Sequence, residues 1–115
     1  MMHIKPPAVA GFFYPDSAQV LRDTVQGFVR DAHAESTERP RALIAPHAGY
    51  QYSGATAACA YRLLEGRRDR IRRVVLLGPA HRVYLQGMAL PSVGAFSTPL
   101  GDVAIDAEAV EQALA

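Results

Sequence analysis

Two short, continuously apolar runs dominate the hydrophobic pattern of the chain. They occupy residues 41–45 and 73–77, and such runs are typical of parallel strands that are covered on both faces of a sheet. Two weaker apolar runs, 87–90 and 103–105, predict further strands. The segment 96–102 between them contains proline, glycine and polar residues, so we expect a turn or loop there.

Amphipathic stretches accompany the apolar runs. Apolar side chains recur at helical spacing after Asp16, after Ser53 and after Asp106, which predicts three helices with these residues as N-caps. The first helix should end by about Ala34, where a polar segment begins, and the second should span roughly 54–65.

Strands that alternate with helices place the chain in the α/β class. The pattern predicts a single three-layer domain with a central, mostly parallel or mixed sheet and helices on both faces. An irregular or extended arm is expected over residues 1–15. A final helix needs more sheet to cover than two or three strands provide. We therefore expect residues 1–115 to be the N-terminal part of one such domain, truncated after its first half. The alternative is a naturally short variant that dimerises to cover its open sheet edge.

Composition narrows the classes of function. The chain has 115 residues and a formal net charge of +1, which argues against a nucleic acid or an anionic membrane as partner. The one basic cluster, residues 67–73, lacks interleaved aromatic side chains, so we interpret it as a solvated connection. Cys59 is the only cysteine, which excludes an intramolecular disulfide and fits a cytoplasmic protein. No apolar window approaches the length of a membrane span.

The candidate chemistry lies at the ends of the two strongest predicted strands. His47 follows the first in a Pro-His-Ala-Gly-Tyr motif, and His81 follows the second in a Gly-Pro-Ala-His motif. Ligands of open α/β sheets bind just outside the carboxyl ends of strands. Neutral imidazole is the commonest protein ligand for iron, copper and zinc, so the two histidines predict a shared metal site. The alternative is that both are ordinary surface or hydrogen-bonded histidines.

Two histidines do not complete a metal site. Non-haem iron(II) centres commonly use two histidines and a carboxylate, and catalytic zinc takes three protein ligands. Asp102, Asp106 and Cys59 are the candidates for a third ligand. Asp102 is better explained as a turn residue, Asp106 as a helix cap and Cys59 as a packed small side chain.

The segment that follows His47 carries candidate pocket residues. Tyr50 or Tyr52 would donate a hydrogen bond to a bound substrate or to dioxygen, and Ser53 lies beside them. A buried tyrosine hydroxyl needs a hydrogen-bond partner in any case. The alternative is that this segment is a simple turn into the second helix.

Four segments of the chain resemble the Memo family in order and spacing. They are VAGFFYP at 9–15, APHAGY with YSG at 45–54, LGPAH at 77–81 and TPLGD at 98–102. The resemblance runs from about residue 4 to the last residue, so it covers nearly the whole chain. In bacteria and archaea the family is often named AmmeMemoRadiSam system protein B.

The resemblance implies a fold similar to that of the class III extradiol dioxygenases, non-haem iron enzymes that open catechol rings. It implies that His47 and His81 are the two metal-binding histidines of the family's first half. The remaining ligand and a further active-site histidine would lie in the second half, which is absent here. Iron(II) is then the expected cofactor, with copper or zinc as alternatives. Association with a radical-SAM protein and an AMMECR-type protein is implied by the names of prokaryotic relatives.

Three interpretations of function stay open at this point. The first is a metal-dependent redox or dioxygenase-like enzyme that acts on an unidentified small molecule or peptide. The second is a non-catalytic module that binds a peptide, acidic or phosphorylated, in the same pocket. The third is a fragment without independent activity, whose unpaired sheet edge predicts poor solubility.

Overall fold

The computed structural model describes residues 2–33, 36 and 38–115, which form two compact units. The helical unit is Ala8–Arg72, and the sheet unit combines the described residues up to Pro7 with Arg73–Ala115. His47 belongs to the helical unit and His81 to the sheet unit.

Two α-helices and one 3-10 turn make up the helical unit. Helix α1 is Ala18–Asp31, helix α2 is Tyr50–Tyr61, and the 3-10 helix Arg62–Leu64 continues α2. Helix α1 begins after Ser17, because the Ser17 hydroxyl oxygen accepts a hydrogen bond from the backbone N–H of Val20 at 3.4 Å.

A small apolar core joins the two helices. Leu21 of α1 and Ala58 of α2 are each only 4 % exposed. The ring of Phe28 meets the ring of Tyr50 edge-on at a centroid distance of 6.4 Å. A Cβ atom at Gly54 would lie only 2.7 Å from a carbon of the Phe28 ring. The missing side chain of Gly54 therefore gives the Phe28 ring its place against α2.

Arg62 fastens the end of α1 to the end of α2. Its Nη1 donates hydrogen bonds to the carbonyl oxygens of Val29 at 3.0 Å, Arg30 at 2.8 Å and Ala32 at 2.6 Å. The last carbonyls of a helix have no donor within the helix itself. Arg62 therefore caps α1 from the neighbouring helix and fixes the two ends together.

Three short strands and one helix make up the sheet unit. Strand β1 is Ile4–Lys5, β2 is Ala95–Thr98, β3 is Gly101–Ala104, and helix α3 is Ala107–Leu114. Strand β1 pairs with β2 in parallel, and β2 pairs with β3 in antiparallel orientation, so the sheet is mixed. Ala95 is only 2 % exposed, which places the best-buried position of this unit on the central strand.

The predicted α/β class, the mixed sheet and the three helices are confirmed, but two helix caps are displaced. Ser17, not Asp16, caps α1, and α2 begins after Gly49 instead of after Ser53. Asp106 caps α3 as predicted. Apolar spacing locates a helix without fixing its first residue, which explains both displacements. None of the helices in the described ranges is long and apolar enough to cross a membrane.

The predicted strands 41–45 and 73–77 do not form. Both runs lack regular structure and sheet partners among the described residues. Most of their apolar side chains are exposed: Ile44 by 100 % and Leu76 by 81 %. An apolar run becomes a strand only when another strand supplies its hydrogen bonds. The strand prediction is therefore wrong for these two runs, because the pattern indicated burial and not a partner.

The sheet forms instead where we expected a turn or loop. Strands β2 and β3 make a hairpin that Thr98 closes, since its hydroxyl accepts from the Leu100 N–H at 3.1 Å and donates to the Gly101 carbonyl at 2.8 Å. The predicted strand at 103–105 overlaps β3 and is confirmed, whereas 87–90 is irregular. Strand β2 escaped prediction because its second half lies in the segment whose proline, glycine and polar residues predicted a loop.

Candidate metal site

His47 lies on an irregular segment directly before helix α2. Residues 42–47 adopt no regular secondary structure, and the side chain of His47 is exposed. The helix begins three residues later at Tyr50, with Gly49 as its N-cap. The position of His47 therefore depends on how the first turn of α2 is held.

Two hydrogen bonds hold that first turn. The backbone N–H of Tyr50 donates to the carbonyl oxygen of Phe13 at 2.7 Å, so this helix start has an acceptor although it lacks a side-chain cap. The hydroxyl of Ser53 donates to the carbonyl oxygen of Ala48 at 2.9 Å, and Ser53 is 8 % exposed. The second bond ties the residue next to His47 onto the helix.

Residues 9–14 form the platform on which α2 begins. The backbone N–H of Gly11 donates to the Tyr14 carbonyl at 2.8 Å, and Gly11 has a φ of 82°, which favours glycine. The ring of Tyr14 packs against the ring of Tyr50 at a centroid distance of 5.7 Å. The segment has no helix or strand, as the predicted irregular arm implies, but it is a compact turn packed against α2 and not an arm. Gly11 was the one signal in the sequence for it.

The three predicted pocket residues have different surroundings. Tyr50 is partly buried and lines an apolar cavity of about 110 Å³ within the helical unit. Burial raises the pKa of its hydroxyl, and the neighbouring Tyr14 and Tyr61 raise this pKa further, so Tyr50 keeps its proton and can donate. Tyr52 is 80 % exposed and open to a ligand. The Ser53 hydroxyl donates its hydrogen bond to the backbone carbonyl of Ala48. Ser53 is therefore a positioning residue.

His81 has a different backbone setting in the sheet unit. It begins a bend over residues 81–83, and its side chain is exposed. The irregular run 73–77 precedes it. A Cβ atom added at Gly78 would meet no atom within 4 Å, so packing among the described residues does not require the glycine of this motif.

The described residues supply imidazoles but not a complete set of metal ligands. No group of three or more His, Cys, Asp or Glu side chains in this part of the chain lies close enough to hold a metal ion. Asp106 accepts a backbone N–H at 3.0 Å through Oδ1 and pairs with Arg73 at 2.7 Å through Oδ2. Asp102 is exposed on β3, and Cys59 is exposed instead of packed. Two neutral imidazoles fit iron, copper or zinc, yet a third donor is still needed.

Similarity to known proteins adds an independent line of argument. A family model described as Memo-like protein matches residues 5–115. Protein MEMO1 of Homo sapiens is 44% identical over 98 residues, which are 84% of this chain and 32% of the relative. MEMO1 family protein MJ0403 of Methanocaldococcus jannaschii is 40% identical over 121 residues, covering 97% of this chain and 42% of the relative.

A third relative agrees with these two. MEMO1 family protein TV1383 of Thermoplasma volcanium is 36% identical over 108 residues, covering 91% of this chain and 38% of the relative. The chain therefore spans from 32% to 42% of the length of these curated relatives. The family match includes the platform at 9–14, the His47 motif with its helix anchor, and the His81 motif. By this match the chain belongs to the Memo family.

Proposed function

We propose that this chain supplies two histidine ligands, His47 and His81, to the metal centre of a Memo-like redox protein. The observation that carries the proposal is the family match over residues 5–115, which includes both histidine motifs. Iron(II) is the proposed metal, because the family resembles the extradiol dioxygenases, and copper or zinc would also accept two imidazoles. The remaining ligand is proposed to lie in the part of the family that this chain does not span.

Bound iron would supply electron transfer and coordination positions for a small molecule. The residues of this chain would prepare the surroundings. The Ser53 hydroxyl holds the backbone beside His47, which limits the positions that the imidazole can take. Tyr50 keeps its proton because burial raises its pKa, so it can donate a hydrogen bond. Tyr52 is exposed in the first turn of the helix and would contact a substrate.

The proposal is tested by anaerobic titration with iron(II). Residues 1–115 are joined to the remaining sequence of the Methanocaldococcus relative, which restores the length of that family member. We expect uptake of iron by this fusion and strongly reduced uptake by its His47→Ala, His81→Ala double variant. The matched control replaces the two histidines outside the motifs, His3 and His33, by alanine. Equal uptake by all three proteins would refute the assignment of His47 and His81.

A second candidate function is a peptide-binding module without turnover. The observation that favours it is the 80 % exposure of Tyr52 in the first turn of α2, close in sequence to the exposed His47. An acidic or phosphorylated peptide would contact these side chains directly. Peptide affinity should then survive removal of metal by a chelator and fall in a Tyr52→Ala variant. Loss of binding on chelation would reject this version and favour the metal centre.

A further inference from the structure

A cleft of about 300 Å³ lies in the helical unit, apart from the segment that carries His47. One side is formed by residues just before the 41–45 run and the other by the turn that follows α2. We name it the arginine cleft, since three of its seven lining residues are arginines. The lining residues are Glu38, Arg39, Leu63, Glu65, Gly66, Arg67 and Arg70.

A tight turn places two of these arginines. Gly66 has a φ of 77°, a left-handed conformation that favours glycine. The N–H of Arg67 then donates to the Leu64 carbonyl at 3.1 Å, and the N–H of Arg70 donates to the Arg67 carbonyl at 3.0 Å. Because the backbone turns in this helical manner, side chains three residues apart lie on the same side. Arg67 and Arg70 therefore both reach the cleft, whereas Arg68 between them does not line it.

The nitrogens of the Arg67 guanidinium group differ in their surroundings. Its Nη1 donates to the carbonyl oxygen of Pro40 at 3.3 Å, which anchors the group across the cleft. Its Nε is buried and has no hydrogen-bond acceptor among the described residues. A buried donor without an acceptor costs about 1–3 kcal/mol. Surrounding atoms cover Nε, so a ligand in the cleft would accept a hydrogen bond from Nη2, the remaining nitrogen of the group, whose charge favours a carboxylate or phosphate oxygen.

The charges that line the cleft favour one oxyanionic group. The arginines and glutamates that line it form no ion pair with one another in the described part of the chain. Three guanidinium groups therefore oppose two carboxylates without neutralising them directly. Binding of nucleic acid needs several unopposed cations in a row, and Glu38 and Glu65 interrupt such a row here. A compact ligand that engages Arg67 and Arg70 fits better.

We propose that the arginine cleft binds a single oxyanionic group, the phosphate of a monoester or the carboxylate of an acidic ligand. Arg67, held in place by its bond to Pro40, donates a hydrogen bond from Nη2, and Arg70 and Arg39 supply positive charge. This site does not depend on the metal-binding proposal, because it uses no residue of either histidine motif.

The test is a titration of the full 115-residue chain with inorganic phosphate and, separately, with acetate. Sodium chloride holds the ionic strength constant, and binding is followed through the N–H resonance of Arg67 Nε and through the heat released. Arg67→Gln and Arg70→Gln should each weaken binding about tenfold, because each removes a charge-assisted contact. Arg68→Gln is the matched control, since it removes the same charge from a neighbouring residue that does not line the cleft.

The outcomes separate the proposal from its alternatives. A shift of the Arg67 Nε resonance, with binding that Arg68→Gln leaves within about twofold of the wild type, would support it. Equal weakening by all three substitutions would overturn it, because diffuse electrostatic attraction explains that result. Absence of saturable binding of both anions would also overturn it. Arg70→Gln tests the cleft even if Arg67→Gln fails to fold, because Arg70 has no anchoring bond to Pro40. Tighter binding of phosphate than acetate identifies a phosphate monoester, and the reverse identifies a carboxylate.

Discussion

Replacing Gly54 by alanine should destabilise the helical unit, although alanine is the better helix former. Gly54 lies within α2, where the ring of Phe28 occupies the space beside its Cα atom. A Cβ atom there would lie 2.7, 2.9 and 3.2 Å from three carbons of that ring. Carbon atoms pack without strain at about 3.5–4.0 Å. The ring or the helix must therefore move when a methyl group is added.

Two opposing effects set the size of the change. Alanine is about 1 kcal/mol more favourable than glycine inside a helix. An extra methyl group in a filled site costs about 1–3 kcal/mol. The net effect at Gly54 is then a loss of up to about 2 kcal/mol in the free energy of unfolding. A glycine-to-alanine substitution that gains helix propensity without crowding should instead raise the free energy of unfolding by about 1 kcal/mol.

The chain contains a matched control for this reasoning. Gly27 lies inside α1, and an added Cβ there would meet only the flexible end of Arg30, at 3.8 Å. Gly27→Ala should therefore stabilise the protein, and the two substitutions should differ by about 1–3 kcal/mol. Urea unfolding followed by far-ultraviolet circular dichroism measures both free energies. A Phe28→Leu background removes the two ring atoms in closest contact and should make Gly54→Ala nearly harmless.

The sign of the Gly54→Ala effect shows whether the Phe28 ring resists the added methyl group. If Gly54→Ala stabilises the protein as much as Gly27→Ala does, then the Phe28 ring moves aside at no cost. The close packing of the two helices at this point would then contribute nothing to stability. If Gly54→Ala destabilises equally in the Phe28→Leu background, the loss arises from the backbone and not from contact with the ring.

Three further predictions concern single side chains of the helical unit. Ser53→Ala should lower the free energy of unfolding by about 1 kcal/mol and speed amide hydrogen exchange in the first turn of α2, because the bond to Ala48 is lost. Arg62→Gln should lower it by about 1.5–3 kcal/mol in thermal unfolding, with Arg62→Lys intermediate. The folded-state pKa of Tyr50 is raised above its ordinary 10.0, so the unfolded chain loses this proton first. Stability should therefore fall as pH rises above about 10, and Tyr50→Phe should reduce that fall.

Local interactions explain why the helices were predictable from the sequence. Apolar side chains on one face of a helix are three or four residues apart, so a short window contains the whole signal. The start of α2 was less predictable. Its first N–H bonds to the carbonyl of Phe13, 37 positions earlier in the printed numbering (13 to 50), and no local cap signal marks such a distant acceptor.

The strands were harder to predict because pairing is not local. Residues 41–45 and 73–77 carry the strongest strand pattern, yet both stay irregular. Strand β1, with only two residues, forms because Ile4 and Lys5 align with Ala95 and Phe96. Its partner is about ninety residues away. The spacing of apolar residues within a short window does not indicate which distant segments pair. Sequence patterning thus identified the fold class without identifying which runs would pair.

The candidate histidine motifs can be recognised in the sequence, whereas the contacts that hold the His47 motif cannot. The two histidine motifs were visible as short sequences, and the family match includes both. The turn at 9–14 that supports α2, and the role of Ser53 as a donor to the backbone, required three-dimensional contacts. The arginine cleft was hidden for the same reason. The sequence pattern of its basic run indicates a solvated connection, whereas Arg67 is anchored on Pro40 with its Nε buried.

The contacts around α2 also indicate which parts of the His47 motif serve placement. Tyr50 packs against Tyr14, Ser53 closes the backbone at Ala48, and Gly54 gives room to Phe28. Packing therefore accounts for these positions whether or not a metal binds nearby. His47 differs from them, because its side chain is exposed on a loop whose course the other residues fix. Exposed loop residues held by a rigid support are where binding chemistry is usually found. The same motif thus contains both the His47 imidazole and the residues that hold its loop in place. His47 is therefore the most informative position to substitute in the iron titration.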